Sequence, residues 1–244
     1  MGSVGAKSSS SSLPDEFNGL FGARSSTSAA ERVDRVINSA DNVINPNHGK
    51  GLGDEWSRNC ALCATATALY ARGYEVEAGP RDKQQWRGLD SVFDVDYSNP
   101  DNYFTSGSRY RLSGVPSRNE IVNTSYHGGY GNGDKIDYDN VPVAPRGATA
   151  VARAIEAKAQ KWGNGAIGVL NVKWKDCNAG HAINIINVNG KVIAYDPQIN
   201  RRIPDLTSYM KRTVAQRTSL VRLDNAPIRA DVKQSDLNKM FKKK

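Results

Sequence analysis

Two short apolar segments joined by Asn189-Gly190 constrain the fold more than any other feature of the sequence. Residues 182–188 and 191–195 are rich in residues that favour strands. Asn-Gly is preferred in the two-residue turns of antiparallel hairpins, because both turn positions require a positive φ. A third strand-like segment, residues 166–174, precedes them. The sequence therefore predicts an antiparallel sheet in the second half of the chain.

Helical periodicity and composition predict three helices. They span residues 28–44, 60–71 and 148–162. Gly73 ends the second helix, and the alternating residues 74–78 follow it as a short strand. The predicted fold class is therefore α+β, with an N-terminal helical part in front of an antiparallel sheet.

Length and composition predict one medium-sized domain. The chain has 244 residues, of which 39% are apolar and 24% charged, and no apolar run approaches the ~18 residues that span a bilayer. We expect a domain over residues 31–230 with an insertion over about 81–145. We expect a disordered Ser/Gly-rich arm over 1–30 and a basic tail over 231–244. The N-terminal segment lacks the apolar stretch of a secretory signal, so we expect no signal peptide.

The charge and the cysteines narrow the function classes. The net charge of +8 suits an acidic partner, but much of the excess is concentrated in places such as Lys242-Lys243-Lys244, without interleaved aromatic residues. Nucleic-acid binding through the tail is therefore a minor option. Three cysteines do not make a disulfide framework, which indicates a reducing compartment or a reactive thiol.

Cys60, His181 and Asp196 form a candidate catalytic set. Cys60 begins the second predicted helix, where the helix dipole favours a thiolate. His181 opens a predicted strand and Asp196 closes the next one, so the hairpin can place imidazole and carboxylate side by side. We expect His181 to act as general base and acid, and Asp196 to orient it. Backbone amides at the helix start, including that of Cys60, are candidates for an oxyanion hole.

Each residue also has an ordinary structural explanation. A lone Cys on an Ala-rich helix is usually a small buried apolar residue, and Asp-Pro after a strand is common in turns. A lone His beside Gly is usually a turn residue with its hydrogen bonds satisfied. Together, in this order and on these elements, the three residues favour catalysis.

A zinc site is an alternative use of the same residues. Cys60, Cys63, Cys177 and His181 are four potential ligands at zinc-like local spacings. Two observations oppose this alternative: Cys60 and Cys63 stand at a helix start rather than in a knuckle turn, and zinc would leave Asp196 without a role.

The sequence resembles the papain-fold toxin domain of bacterial polymorphic toxins, deamidating effectors and phage minor capsid proteins. The resemblance lies in Asn59-Cys60-x-x-Cys63, Trp162-Gly163-x-Gly165-Ala166, Val172-x-Trp174-Lys175, Gly180-His181-Ala182, Asp196-Pro197-Gln198 and Arg222-Leu223-Asp224-Asn225. It implies a papain-like fold and a site of Cys60, His181 and Asp196. From their positions beside Cys60 and Asp196, we expect Asn59 and Gln198 to support this site, and we expect no cofactor.

The resemblance further implies deamidation of glutamine, or other amide hydrolysis, on a host or target protein. Cys63 stays as an alternative nucleophile, because papain has a Cys-x-x-Cys in which the second Cys reacts; we prefer Cys60, since Asn59 is a suitable N-cap residue before it. A cysteine peptidase of the same fold and a non-catalytic phage structural or DNA-contacting protein are alternatives. The implied partners are an immunity protein or virion components, and the implied locations are a phage virion or the cytoplasm of a target cell.

Overall fold

A six-stranded antiparallel sheet forms the centre of the protein. Its strands are β2 (Tyr103–Thr105), β3 (Ile167–Lys173), β4 (Gly180–Val188), β5 (Lys191–Asp196), β6 (Arg201–Ile203) and β7 (Ser219–Arg222). The spatial order is β2-β7-β3-β4-β5-β6, with every neighbouring pair antiparallel. Strands β1 (Val76–Ala78) and β8 (Phe241–Lys243) form a separate antiparallel pair. The computed structural model describes residues 20–22, 27–81, 89, 92–96, 99, 101–106 and 147–243.

The predicted hairpin is confirmed. Strands β4 and β5 pair with Asn184 opposite Tyr195 and Val188 opposite Lys191. Asn189 has φ 52° and Gly190 has φ 83°, so both turn residues adopt the left-handed conformation that this turn requires.

Six helices accompany the sheet in the described part of the chain. They are α1 (Ala29–Asn38), α2 (Asp54–Ser57), α3 (Cys60–Ala71), α4 (Ala148–Lys161), α5 (Leu206–Lys211) and α6 (Gln234–Met240). Helix α3 has the predicted bounds. Helix α1 ends at Asn38 rather than at residue 44: Ser39 is extended, with φ −67° and ψ 136°, and in the turn that follows Asn42 Oδ1 accepts from the Asn45 N–H at 2.8 Å.

The sheet separates two apolar layers. Along β4, Ala182 packs with the layer that contains α1 and α3, whereas Ile183 packs with the layer that contains α4 and α5. Helix α3 is apolar on nearly all sides and nine of its twelve residues are buried. A helix of this kind is stable only when it is enclosed, so its N-terminal residue is held firmly against the sheet.

The ends of the domain differ from the expectation. Residues 231–244 were expected as a basic tail, but α6 and β8 lie there and Phe241 is 2% exposed. Phe241 packs edge-on against Phe21, with ring centroids 6.3 Å apart, so an apolar residue of the expected arm also belongs to the core. Residues 1–19 and most of the expected insertion lie outside the described residues.

None of the helices in the described ranges has the length and apolar character that a bilayer crossing needs.

Candidate active site

Cys60 is the first residue of α3. Asn59 occupies the N-cap position, but its side chain makes no capping hydrogen bond, so the capping role expected for it is wrong. The Asn59 side chain is 2% exposed and donates instead to the Gly79 carbonyl at 2.9 Å. The first backbone N–H groups of a helix have no partner within it, and Asn59 leaves those of α3 uncapped beside Cys60.

His181 and Asp196 meet at one end of the β4–β5 hairpin. His181 Nε2 lies 2.6 Å from Asp196 Oδ2, and the two side chains are 13% and 10% exposed. The other carboxylate oxygen, Oδ1, accepts from the Gln198 N–H at 3.0 Å. Both carboxylate oxygens are therefore engaged, which fixes the plane of the carboxylate and the orientation of the imidazole.

Cys60 uses the other side of the same imidazole. Because Asp196 takes Nε2, Nδ1 is the ring nitrogen left to interact with Cys60. Burial alone would raise the pKa of Cys60, but the hydrogen bond and charge of His181, together with the Ala182 N–H, lower it below its ordinary value. Burial alone would lower the pKa of His181, but its hydrogen bonds to Asp196 and Cys60 raise it to about 10. The two shifts favour a thiolate–imidazolium pair.

The other two cysteines have different surroundings. Cys63 is 0% exposed in the core, and burial raises its pKa well above the ordinary value. Cys177 is exposed in the loop between β3 and β4. In the described ranges, which include all four proposed zinc ligands, no three His, Cys, Asp or Glu side chains are grouped so that they could hold a metal ion. The zinc alternative therefore has no ligand cluster.

A buried amide cluster of Asn45, Asn59 and Gln198 connects the start of α3 to the turn after Asp196. Asn59 Oδ1 accepts from Asn45 Nδ2 at 3.1 Å and from Gln198 Nε2 at 3.3 Å. Asn45 Nδ2 also lies 3.2 Å from the Gln198 carbonyl oxygen. The cluster holds the segments that carry Cys60 and Asp196 in a fixed relation. Sequence reasoning singled out Asn59 and Gln198 but missed Asn45, because a polar residue in a loop gives no local signal.

Trp174 covers the imidazole, and Tyr209 packs against Trp174. Trp174 stacks on His181 with ring centroids 5.8 Å apart and an interplanar angle of 24°. Tyr209 of α5 packs edge-on against Trp174 at 5.4 Å, and the Arg212 guanidinium lies 5.1 Å from the centre of the Trp174 ring. The indole restricts the access of water to the His181–Asp196 hydrogen bond, which strengthens it. Sequence reasoning quoted Trp174 within a motif but gave neither aromatic residue a role.

Comparison with known proteins identifies the family. The model of the family described as "Papain fold toxin 1, glutamine deamidase" matches residues 58–201, which is more than half of the chain. The matched range includes Cys60, His181 and Asp196 and ends before Tyr209. No match was found among curated proteins or among solved structures. The α+β architecture, with the Cys60 helix packed on an antiparallel sheet, agrees with this match. The chain therefore belongs to the papain fold toxin 1 family of glutamine deamidases.

Proposed function

We propose that this protein deamidates glutamine side chains of a target protein, with Cys60 as nucleophile, His181 as general acid and base, and Asp196 as the group that orients His181. One observation carries the proposal: Cys60 begins α3 beside an imidazole whose Nε2 is 2.6 Å from a buried carboxylate. A cysteine activated by an oriented base is the arrangement that nucleophilic amide hydrolysis requires.

The reaction follows from these positions. The Cys60 thiolate attacks the amide carbon of the glutamine side chain, forming a C–S bond and an oxyanion, which the uncapped N–H groups at the start of α3 stabilise. The C–N bond then breaks as His181 transfers its proton to the nitrogen, and ammonia leaves a thioester behind. His181 next takes a proton from water as the water oxygen attacks the thioester carbon; the C–S bond breaks, glutamate is released, and the thiolate–imidazolium pair is restored.

Cys60 is preferred to Cys63 as the nucleophile. Cys60 is half-buried and lies close enough to His181 for the imidazole to lower the pKa of its thiol, whereas Cys63 lies one turn further along α3 without any exposed surface. Burial keeps the Cys63 thiol protonated.

Membership of a toxin deamidase family implies a target protein as substrate and action inside a target cell. We extend this to a protein that is delivered into the target cell, and assign the amide cluster a supporting role in which it fixes the distance between α3 and Asp196.

Thiol reactivity and glutamine conversion together test the proposal. Iodoacetamide labelling with mass mapping across pH, on the wild type, Cys60→Ala, Cys63→Ala and His181→Ala, should show one fast thiol, Cys60, whose reactivity at low pH depends on His181. Incubation with a cell lysate should convert specific glutamines to glutamates and release ammonia. Cys177→Ala, which removes an exposed thiol, is the matched control and should behave as the wild type.

Two results would contradict the proposal. Ordinary reactivity of all three thiols would remove the catalytic pair. Cleaved peptide bonds without glutamine conversion would replace the deamidase by a peptidase of the same fold.

A further inference from the structure

The hydroxyl group of Tyr209 is buried without a hydrogen-bond partner among the residues that the structure describes. Tyr209 lies on α5, which ends two residues later at Lys211. Buried hydroxyl groups are rarely left unsatisfied, because the lost hydrogen bonds to water destabilise the fold. An unpaired phenol beside a candidate active site therefore points to a partner that binds there.

The position of Tyr209 links it to His181. Its ring contacts Trp174 edge-on, and Trp174 stacks on His181. Side chains alternate along β4 and β5, and Ile183 and Ala194 pack with the α4/α5 layer. His181 is two positions from Ile183, and Asp196 is two positions from Ala194, so both side chains lie on the α4/α5 face of the sheet. Tyr209, on α5, therefore approaches the site from the side of the imidazole and carboxylate.

The electrostatic surroundings of the phenol agree with this position. Burial raises the pKa of Tyr209, the negative charges of Asp196 and Cys60 raise it further, and Arg212 opposes them. Tyr209 therefore stays a neutral phenol, which can donate one hydrogen bond and accept another.

We propose that Tyr209 is a further catalytic residue, whose hydroxyl oxygen accepts a hydrogen bond from the leaving nitrogen of a primary amide. The inference rests on the proposed function and adds the chemistry that selects the amide. The leaving nitrogen must lie against His181, which gives it a proton, whereas the oxyanion lies at the start of α3. Tyr209 reaches the site on the side of His181 and is therefore on the side of the nitrogen.

The hydrogen bond requires no additional reactant. The C–S bond forms, the C–N bond breaks and the proton of His181 moves to the nitrogen, while Tyr209 accepts an N–H and keeps its own proton. A primary amide has two N–H groups, so one hydrogen remains for Tyr209 in any orientation that exposes the lone pair to His181. An amide that carries carbon on the nitrogen would place an apolar group against the phenol, which disfavours peptide bonds.

The test uses Tyr209→Phe, which keeps the ring against Trp174 and removes only the hydroxyl. The probe is propionamide, which has the functional group and chain of a glutamine side chain, and the comparison compound is N,N-dimethylpropionamide. In the wild type, propionamide should slow the iodoacetamide labelling of Cys60 more than the dimethyl compound does. In Tyr209→Phe this difference should disappear. Ammonia release from lysate proteins should fall about 10-fold, because the variant lacks one hydrogen bond in the transition state.

Labelling without a competitor separates this inference from the proposed function. Labelling of Cys60 by iodoacetamide needs the thiolate–imidazolium pair but involves no leaving nitrogen. Tyr209→Phe should therefore keep the labelling rate and pH profile of the wild type. Tyr195→Phe is the matched control, because the Tyr195 hydroxyl already has a partner in Asn200 Oδ1 at 2.7 Å. It should keep the difference between the two amides.

Two outcomes are decisive. A fast-labelling Cys60 with equal effects of the two amides in the wild type, or with an unchanged difference in Tyr209→Phe, would overturn the role of Tyr209 alone. A slow-labelling Cys60 in the wild type would overturn the proposed function on which it rests.

Discussion

Replacement of Asp196 by Asn should remove the negative charge of this residue while keeping the size and shape of its side chain. The carboxylate accepts from His181 Nε2 at 2.6 Å and from the Gln198 N–H at 3.0 Å. Asn can keep one neutral acceptor at nearly the same place, so the backbone and the packing should change little. The negative charge that stabilises the imidazolium is lost.

The magnitude follows from burial and charge. His181 and Asp196 are only 13% and 10% exposed, so solvent screens their attraction weakly. A hydrogen bond to a charged group contributes about 1.5–3 kcal/mol, and each 1.4 kcal/mol changes an equilibrium constant about tenfold. We therefore expect the equilibrium between the thiolate–imidazolium pair and the neutral pair to shift by about 10- to 100-fold toward the neutral pair.

The pH dependence has a definite sign. The folded-state pKa of His181, about 10, is above its ordinary value of 6.5. Protonation of His181 therefore stabilises the folded state, fully below about pH 6.5, and this contribution disappears as the pH rises through about 10. In Asp196→Asn this stabilisation should be lost at a lower pH, because the pKa of His181 falls.

Iodoacetamide labelling of Cys60 across pH, read by mass spectrometry, measures the effect. Asp196→Asn should label more slowly at neutral pH, and the rise in rate should shift toward the pH range of an ordinary thiol. Asp231→Asn removes the same charge at an exposed position paired with Arg229, and should match the wild type. A wild-type profile in Asp196→Asn, with an unchanged melting temperature, would refute the argument that Asp196 maintains the ion pair.

Four further outcomes are expected. Deamidation should rise with pH through the lowered pKa of Cys60 and fall through about 10 as His181 loses its proton, and a single sigmoid rise in initial rates would contradict this. Asn45→Ala removes the donor to the Trp56 and Gln198 carbonyls and should cost about 1–3 kcal/mol in urea unfolding while slowing Cys60 labelling; unchanged labelling would contradict the positioning role. Gly168→Ala should destabilise by about 1–3 kcal/mol in thermal unfolding, because its Cβ would lie 2.8 Å from the Trp162 ring and from the Val221 carbonyl oxygen. Phe241→Ala should cost about 3–5 kcal/mol of unfolding free energy, whereas exposed Lys243→Ala should change it by less than about 0.5, and equal effects would refute the packing of β8.

Local signals in the sequence predicted the framework of the site. Helix α3 and the β4–β5 hairpin depend on neighbouring residues, such as Asn189-Gly190, and their periodicity is visible in the sequence. These two elements provide the helix that begins with Cys60 and the hairpin that carries His181 and Asp196, whereas the contact between them is a long-range feature of the fold.

The remaining features depend on contacts between distant segments. The pairing of β1 with β8 joins two short strands that are far apart along the chain, and a Lys-rich strand such as Phe241–Lys243 has the composition of a solvated tail. Asn45 and Tyr209 acquire their significance only from the groups that the fold brings near them. Helix α1 ends where Ser39 becomes extended, a backbone change that the apolar periodicity of the segment does not reveal.

The separation of Cys60 from the hairpin along the chain has a consequence for folding. His181 and Asp196 approach each other through a local turn, but Cys60 joins them only when α3 docks across a long intervening segment, a step with a large loop-closure entropy. In the unfolded chain Cys60 is an ordinary thiol with a pKa of about 8.5. Formation of the proposed thiolate–imidazolium pair therefore depends on a long-range contact, and an unfolded chain would not carry the activated thiol.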